Sequence, residues 1–137
     1  MRTALDTNVI SGLWTREPLA SRVAADLGRA HSEGGLVVAA PVYAELLVHP
    51  SATPAFVDGF LAATNVAVDF ALDEPIWREA AARFAAYAAR RRDSGASGPK
   101  RPLVDFVIGA HAALRADRLL TLDRDRYAHD FPQLVLM

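Results

Sequence analysis

The first ten residues, Met1-Arg-Thr-Ala-Leu-Asp-Thr-Asn-Val-Ile10, decide how the rest of the sequence is interpreted. They predict a short strand, Thr3 to Leu5, that runs directly into Asp6. In an α/β sheet, ligands lie just outside the carboxyl ends of the strands, so Asp6 would face a cleft there. The alternative is that Asp6 only caps the helix that starts near Val9, because Asp is a good capping residue.

Beyond Ile10, short apolar runs alternate with stretches of helical periodicity. Further strands are predicted at Leu36 to Ala40, Asn65 to Phe70, Arg118 to Leu122 and Leu134 to Leu136. Helices are predicted from Leu19 to a stop at Glu33-Gly34-Gly35, at Val42 to His49, at Pro54 to Thr64, from Asp73 or Glu74 to Arg90-Arg91-Arg92, and at Leu103 to Ala116, with one turn at Asp125 to His129. Ser11 to Pro18 and Ser94 to Pro102 are predicted loops. The alternation favours an α/β fold with a parallel sheet covered on both faces. No internal repeat or long linker divides the chain, so we expect one domain, residues 1–137.

Composition limits the classes of protein that this sequence can belong to. The 137 residues are 52% hydrophobic, which argues against disorder, and 15 Lys plus Arg balance 16 Asp plus Glu. Any basic surface for nucleic acid would therefore have to be local. There is no cysteine, which excludes disulfides and thiol ligands. No signal segment or membrane-length apolar run is visible, so we expect a cytoplasmic protein.

Three more acids lie in apolar surroundings where a charge is unexpected. Glu45 follows Pro-Val-Tyr-Ala, Asp105 lies within Leu-Val-Asp-Phe-Val-Ile, and Asp123 follows Leu-Leu-Thr-Leu at the end of a predicted strand. Each has a local explanation: a solvent-facing helix position for Glu45, a helix cap for Asp105, a turn for Asp123. Burying a lone carboxylate is costly unless it is paired or binds a cation. Together with Asp6, these acids favour one shared site.

A site made only of oxygen ligands indicates Mg²⁺ or Mn²⁺. Crowded carboxylates repel each other, which would raise the pKa of at least one of them, and a divalent cation would relieve that repulsion. Such ions can activate water and stabilise the oxygens of an in-line displacement. The predicted chemistry is hydrolysis of a phosphodiester bond.

These motifs carry a resemblance to a known family. Leu5-Asp-Thr-Asn-Val-Ile10, the isolated Glu45, Pro102-Leu-Val-Asp-Phe-Val-Ile-Gly-Ala-His-Ala112 and Leu119-Leu-Thr-Leu-Asp-Arg-Asp-Arg-Tyr127 look like a PIN-domain ribonuclease. More closely, they are similar to the VapC toxins of bacterial toxin–antitoxin pairs. The resemblance spans the whole chain, and the four acids occur in the family's order.

The resemblance implies a fold, an activity and partners. The fold is an α/β/α sandwich around a parallel sheet of about five strands. Asp6, Glu45, Asp105 and Asp123 match the family's catalytic metal site, and Thr7, Asn8 and Thr121 match the small polar positions beside it. The implied protein is a Mg²⁺- or Mn²⁺-dependent endoribonuclease with an RNA substrate, a homodimer silenced by a VapB-like antitoxin.

Other interpretations stay open at this point. A PIN nuclease of RNA processing that is not a toxin, and a PIN-like module that binds nucleic acid or protein without cleaving, would share these motifs. A phosphatase with an aspartyl nucleophile would need a second acid two residues after Asp6, but position 8 is Asn.

Two surfaces are also ambiguous from sequence alone. Arg90, Arg91, Arg92, Lys100 and Arg101 flank one loop and could be a solvated helix end or contacts to an RNA backbone. The helices near Leu13 to Leu27 and Val42 to Phe60 could offer an apolar groove to an antitoxin or a second subunit. His111 lies six residues after Asp105, off its helix face, and is expected to be a core residue.

Overall fold

A computed structural model describes residues 1–15, 18–98 and 100–137 of the chain. Four parallel strands form its sheet: β1 (Thr3–Leu5), β2 (Leu36–Ala39), β3 (Val66–Asp69) and β4 (Arg118–Leu120). The described helices are α1 (Thr7–Leu13), α2 (Leu19–Glu33), α3 (Ala40–Leu46), α4 (Pro54–Ala63), α5 (Glu74–Ser94), α6 (Leu103–Arg115) and α7 (Arg124–Asp130). The predicted α/β class is confirmed. None of the described helices is long and apolar enough to cross a membrane.

The sheet forms the centre of the core because its inner strands are buried along their whole length. Every residue of β1 and β2 is buried, as expected of parallel strands covered on both faces. The order across the sheet is β3-β2-β1-β4, and all three pairings are parallel. With this order, the right-handed crossover rule for parallel strands predicts α1 to α4 on one face of the sheet and α5 and α6 on the other.

The strand order creates a switch point beside β1. The chain adds β2 and β3 on one side of β1 and returns to add β4 on the other. Beyond the last β1–β4 pair, Leu5 with Leu120, the Asp6 amide still donates to the Leu120 carbonyl at 3.0 Å. In open α/β sheets, a ligand-binding cleft is expected outside the carboxyl ends of the strands at such a switch point. The switch point places Asp6 and the residues after Leu120 side by side.

Several predicted boundaries differ from the structure. Helix α1 includes Ser11 to Leu13, which were expected in a loop, and α3 starts at Ala40 and ends at Leu46 rather than spanning Val42 to His49. Strand β4 ends at Leu120 instead of Leu122, and α7 is a seven-residue helix rather than one turn. In these places, local hydrogen bonding decided ends that hydrophobic periodicity leaves undefined. Of the two predicted loops, Arg16, Glu17 and Pro99 lie outside the described residues.

The expected fifth strand is reduced to one bridge. Within the part of the chain that the structure describes, Leu134 to Leu136 contribute only the parallel bridge from Leu136 to Leu119, not a full strand. The segment is still held along β4, since Leu119 donates to the Val135 carbonyl at 2.9 Å. Pairing at one residue is too short to count as a strand.

Helix α6 fills the second layer of the core, as its apolar sequence predicts. Its residues from Phe106 to Ala112 are all buried, and Phe131 packs against it from beyond α7. Gly109 makes that approach possible: a Cβ there would lie 2.4 Å from Cε2 of Phe131. The ring is itself 2% exposed, so it has no free space into which it could move.

Gly109→Ala is therefore expected to destabilise the protein by about 1–3 kcal/mol, because the added methyl overpacks the contact with Phe131. Gly59→Ala is the matched control, since Gly59 is exposed on α4 and a Cβ added there would meet nothing within 4 Å. That change should be neutral or stabilising by up to about 1 kcal/mol. Urea unfolding of both variants measures the difference. Equal stability of the two would show that Gly109 is not required for the approach of Phe131.

Candidate active site

Asp6 lies at the centre of the candidate site and is buried, with 6% of its surface exposed. Its Oδ1 accepts from the Thr7 amide at 2.8 Å, which makes Asp6 the N-cap of α1. Its Oδ2 accepts from the Thr121 hydroxyl at 2.8 Å, across the switch point. Oδ1 thus fills the capping role that the sequence offered as the alternative, while Oδ2 makes the contact across the switch point.

Asp123 is connected to Asp6 through Thr121 and to α1 through Asn8. The Thr121 hydroxyl accepts from the Asp123 amide at 3.0 Å while it donates to Asp6. The Asn8 side chain donates to Asp123 Oδ2 at 3.2 Å and accepts from the Leu122 amide at the same distance. Since β4 ends at Leu120, the residues Thr121 and Leu122 separate the strand from Asp123. Asp123 therefore reaches the cleft from the N-cap of α7, not directly from a strand end as predicted.

Glu45 joins the same network from α3. That helix begins immediately after β2, so it starts at the edge of the sheet where Asp6 lies. The Thr7 hydroxyl donates to Glu45 Oε1 at 2.6 Å. Glu45 is only partly buried, so its remaining oxygen can reach solvent or a ligand.

Asp105 lies in the first turn of α6 and faces two arginines. Its Oδ2 is 3.5 Å from Arg101 Nε and 3.8 Å from Arg126 Nη2. Arg126 also lies 3.9 Å from Asp123 Oδ2, so one exposed guanidinium stands between two of the predicted site acids. Sequence analysis did not identify Arg126, although its i, i+3 spacing from Asp123 on a helix was a usable signal.

The pKa of Asp6 is raised above its ordinary value. Burial is the main cause, the negative charge of Asp105 adds to it, and the hydrogen bonds from Thr121 and Thr7 oppose it. The expectation that one acid would have a raised pKa is confirmed, but desolvation outweighs repulsion between carboxylates. The buried hydroxyl of Tyr127 also opposes the rise in the pKa of Asp6, although it meets the geometric criteria for a hydrogen bond with none of the described residues. Burial and the charges of Asp6 and Asp105 raise the pKa of Tyr127 itself.

The fit of these residues to a metal ion is good at Asp6 and weaker around it. Asp6 is a buried acid that no ion pair connects to a basic side chain of the described residues, and its neighbours offer only oxygen ligands. Across residues 1–15, 18–98 and 100–137, however, no three acidic or histidine side chains are placed to hold one ion together. Asp105 and Asp123 instead face Arg126, which is exposed and would have to turn aside.

Comparison with known protein families identifies the family of this chain. The family model described as PIN domain matches residues 3–132, nearly the whole chain. The chain belongs to the PIN domain family. The match includes all four acids and the three polar residues that connect them, so the site occupies the shared part of the fold. A comparison with curated protein sequences found no match.

Solved structures similar to this PIN domain carry the same fold over its full length. VapBC-1 from nontypeable Haemophilus influenzae matches at a TM-score of 0.65 and 23% identity, covering 100% of this chain and 97% of the other. VapBC2 from Rickettsia felis, bound to a DNA fragment from its promoter, gives 0.63 and 19% over 100% and 98%. FitAcB from Neisseria gonorrhoeae gives 0.62 and 22% over 98% and 96%. At these identities, the likeness establishes the fold.

A buried ion pair beside the site of this PIN domain was not predicted from the sequence. Asp130 is 4% exposed and pairs through one oxygen with Arg101 and through the other with Arg90. The Arg101 guanidinium, itself 7% exposed, lies over the Phe106 ring at 4.9 Å and the Tyr127 ring at 5.3 Å. The only sequence signal was an acid between two aromatic residues, Tyr127 and Phe131.

His111 is a structural residue, as expected. It is 1% exposed, and its Nε2 lies 3.0 Å from Asp69 Oδ2 at the end of β3. Burial lowers the pKa of His111 in spite of Asp69, and the hydrogen bond from His111 contributes to a lowered pKa of Asp69. This pair belongs to the core between β3 and α6 and takes no part in the acidic site.

The raised pKa of Asp6 predicts a pH-dependent stability. Because the folded state binds the Asp6 proton more tightly than the unfolded state, the contribution of Asp6 is most favourable at low pH. It is lost as pH rises from the ordinary value of 3.8 through the raised pKa. In EDTA, the melting temperature of Asp6→Asn relative to wild type should therefore increase across that range. Thermal melts at several pH values measure this difference, with Asp125→Asn, an exposed acid, as the control. A constant difference would contradict burial of the charged form.

The buried pair predicts a large loss of stability when one partner is removed. Asp130→Asn leaves the Arg101 guanidinium buried without its main counterion, which should cost about 3–5 kcal/mol. Asp26→Asn breaks an exposed pair with Arg29 and should cost less than about 1 kcal/mol. Urea unfolding of the two variants compares them. Similar, small losses would mean that the buried pair does not hold α5, α6 and α7 together.

Proposed function

We propose that this PIN domain is a metal-dependent endoribonuclease of the VapC kind, the toxin of a toxin–antitoxin pair, and that residues 1–137 form its single domain. The observation that carries the proposal is the hydrogen-bond network at the switch point. There, Thr7, Asn8 and Thr121 join Asp6, Glu45 and Asp123, acids from three distant segments of the chain.

The network supports the proposal because structure alone does not require it. A helix cap needs one acid, and a stable core needs none, yet three hydroxyl or amide side chains are used to orient carboxylates towards one cleft. Asp105 approaches the same cleft and adds its negative charge to the surroundings of Asp6. Asp6 is a buried acid without a basic counterion among the described residues, which is expected of a site that binds a cation.

In the proposed site, Asp6, Asp105, Asp123 and Glu45 would hold Mg²⁺ or Mn²⁺. The bound ion would supply Lewis-acid stabilisation of a phosphodiester and a more acidic water. Thr121 orients Asp6 and favours its ionised form, since its hydroxyl donates to that carboxylate. Thr7 fixes the position of Glu45, and Asn8 fixes that of Asp123. The flanking guanidinium of Arg126 would face the phosphate of the substrate once it turns from Asp105.

The toxin part of the proposal rests on the family likeness and on one apolar cleft. The similar structures include VapBC complexes, in which a second protein accompanies the PIN chain. Here, an apolar cleft lies between α1, α2 and α4, lined by side chains that include Leu13, Leu27 and Phe60. It overlaps the groove expected from the sequence along Leu13 to Leu27, but of the expected range Val42 to Phe60 it includes only Phe60. We propose that a VapB-like antitoxin occupies it, that the protein is a homodimer, and that it acts on RNA in the cytoplasm.

One observation favours a second candidate, a PIN-like module that binds nucleic acid or protein without cleaving. No three acids of the described residues converge on a single ion, and arginines face Asp105. A PIN nuclease of RNA processing that is not a toxin would share the site and differ only in its partners. Cleavage of RNA distinguishes the main proposal from the non-cleaving module. Growth arrest on expression distinguishes it from a PIN nuclease of RNA processing.

The test of the main proposal is cleavage of structured RNA by the purified protein. We expect internal cuts with Mn²⁺ or Mg²⁺ and none with EDTA. Asp123→Asn should lower the cleavage rate by about 100-fold or more, because it removes a charge oriented by Asn8 towards the proposed ion. Asp125→Asn should stay within about threefold of wild type, since Asp125 is exposed and no ion pair involves it in the described residues.

Cleavage at full rate in EDTA would contradict the metal mechanism. Binding of RNA without any cleavage in Mn²⁺ would support the non-cleaving module instead. An equal loss of activity in both aspartate variants would mean that the strand end and the cap of α7 are assigned wrongly.

A further inference from the structure

The structure resolves the basic cluster Arg90, Arg91, Arg92, Lys100 and Arg101 into two groups. Three of the five have internal partners: Arg90 and Arg101 pair with the buried Asp130, and Arg91 donates to the Gly98 carbonyl at 2.9 Å. These contacts hold the end of α5, the loop after it and α7 together. Arg90, Arg91 and Arg101 therefore have structural roles.

Arg92 and Lys100 form the second group. Both are exposed, and neither side chain has a hydrogen bond or ion pair with any residue that the structure describes. They line one cleft together with Arg91 and Tyr87, between the last turns of α5 and the segment that leads into α6. No acidic side chain of the described residues lines that cleft. A favourable interaction with the C-terminus of α5 explains one cation there, but not a shared cleft.

The cleft continues towards the acids of the candidate site. Tyr87 also lines a neighbouring cleft together with Arg101, Arg126 and His129, in which Asp125 is the only acid of the described residues besides the paired Asp130. Arg126 in turn lies within 4 Å of Asp105 and Asp123. Cationic side chains therefore follow one another from Lys100 and Arg92, past Tyr87, to Arg126 at the edge of the acidic site.

We propose that this surface, the Tyr87 groove, binds the sugar-phosphate backbone of the RNA beside the bond to be cut, with Arg92 and Lys100 as its outer phosphate contacts. The inference rests on the proposed function, because it takes the substrate class from it. The chain as a whole carries 15 basic against 16 acidic side chains, so its bulk charge does not attract RNA. Affinity must then come from a local row of cations, and each phosphate contact releases counterions.

An RNA backbone fits the Tyr87 groove better than a protein partner does. Protein interfaces use large apolar or aromatic anchors at their centre. None of the exposed large apolar side chains of the described residues lines either cleft; the Tyr87 ring is half-buried, and its hydroxyl accepts from the Arg101 amide at 2.8 Å. What the groove offers to a ligand is a set of cationic side chains, Arg91, Arg92 and Lys100 in the outer cleft and Arg126 in the neighbouring one. A phosphodiester chain carries the opposite charge on every nucleotide.

The experiment measures RNA binding apart from cleavage. In the Asp6→Asn background with EDTA, a fluorescein-labelled RNA stem-loop is titrated by fluorescence anisotropy at several KCl concentrations. Arg92→Gln/Lys100→Gln is compared with Arg22→Gln/Arg29→Gln, which removes the same charge from α2 in the other helical layer. Arg29 loses only an exposed pair with Asp26, and Arg22 has no pair in the described residues, so the control should fold normally.

The groove variant is expected to bind roughly tenfold more weakly near 0.1 M salt, and the slope of log K against log salt should become shallower by about two. The control should stay within about twofold of its background. With Asp6 intact, the groove variant should raise KM for RNA cleavage while kcat changes little, since neither residue contacts the acids. Circular dichroism melts of wild type and of every variant establish that each is folded.

Unchanged affinity and slope in the groove variant would overturn the proposal, and so would an equal loss in the control. Equal binding of poly-glutamate, lost by the same variant, would overturn the assignment to RNA. Wild-type cleavage with unaltered binding would refute the Tyr87 groove and leave the nuclease standing. Loss of binding in a protein that never cleaves would support the groove and refute the nuclease.

Discussion

The burial of the Asp6 carboxylate at the switch point is the constraint on which the rest of the site depends. Strand β1 is fully buried, so the residue that follows it leaves the sheet inside the protein rather than at its surface. The carboxylate is stabilised there by hydrogen bonds from Thr7 and Thr121, not by a basic side chain of the described residues. Its raised pKa shows that these bonds do not fully compensate for desolvation. A buried acid that costs stability in this way is expected of a site that binds a cation, as proposed above.

The arginines around Asp105 and Asp130 balance the charge of these two acids in different ways. Arg101 is buried against aromatic rings and is balanced mainly by Asp130, with Asp105 at a longer distance. Asp130 pairs with Nη1 of Arg101 only; Nε and Nη2 have no hydrogen-bond partner among the described residues, and Nε lies 3.5 Å from Asp105 Oδ2. Arg126 differs, since it is exposed and stands between Asp105 and Asp123 at nearly 4 Å from each. One arginine thus belongs to the core, while the other lies at the surface between two acids.

The same distinction organises the surface beside the site. Arg90, Arg91 and Arg101 each have an internal partner, whereas Arg92 and Lys100 are exposed with none among the described residues. In a chain of nearly balanced charge, position rather than number makes a basic surface effective. The loop after α5 brings Lys100 back beside Arg92, and Tyr87 lies where the outer cleft meets the one that leads to Arg126. Packing of α7 on α5 through Asp130 therefore positions both the core and the groove.

The sequence by itself determined the fold class and the order of most elements, and it singled out the four acids as candidates, because strand runs, helical periodicity and misplaced charges are local patterns. The continuous apolar stretch around Phe106 predicted the buried helix α6 correctly. Most connections were located by the change from periodic hydrophobic residues to turn-forming residues. Only the tertiary structure decided where β4 ends, that Leu134 to Leu136 add a single bridge, and which cations are free. Those outcomes depend on partners far along the chain: Leu120 on the Asp6 amide, Arg101 on Asp130, Asp123 on Asn8. Sequence patterns report what a residue can do, whereas pairing across a distance of up to 115 residues is fixed only when the sheet brings the partners together.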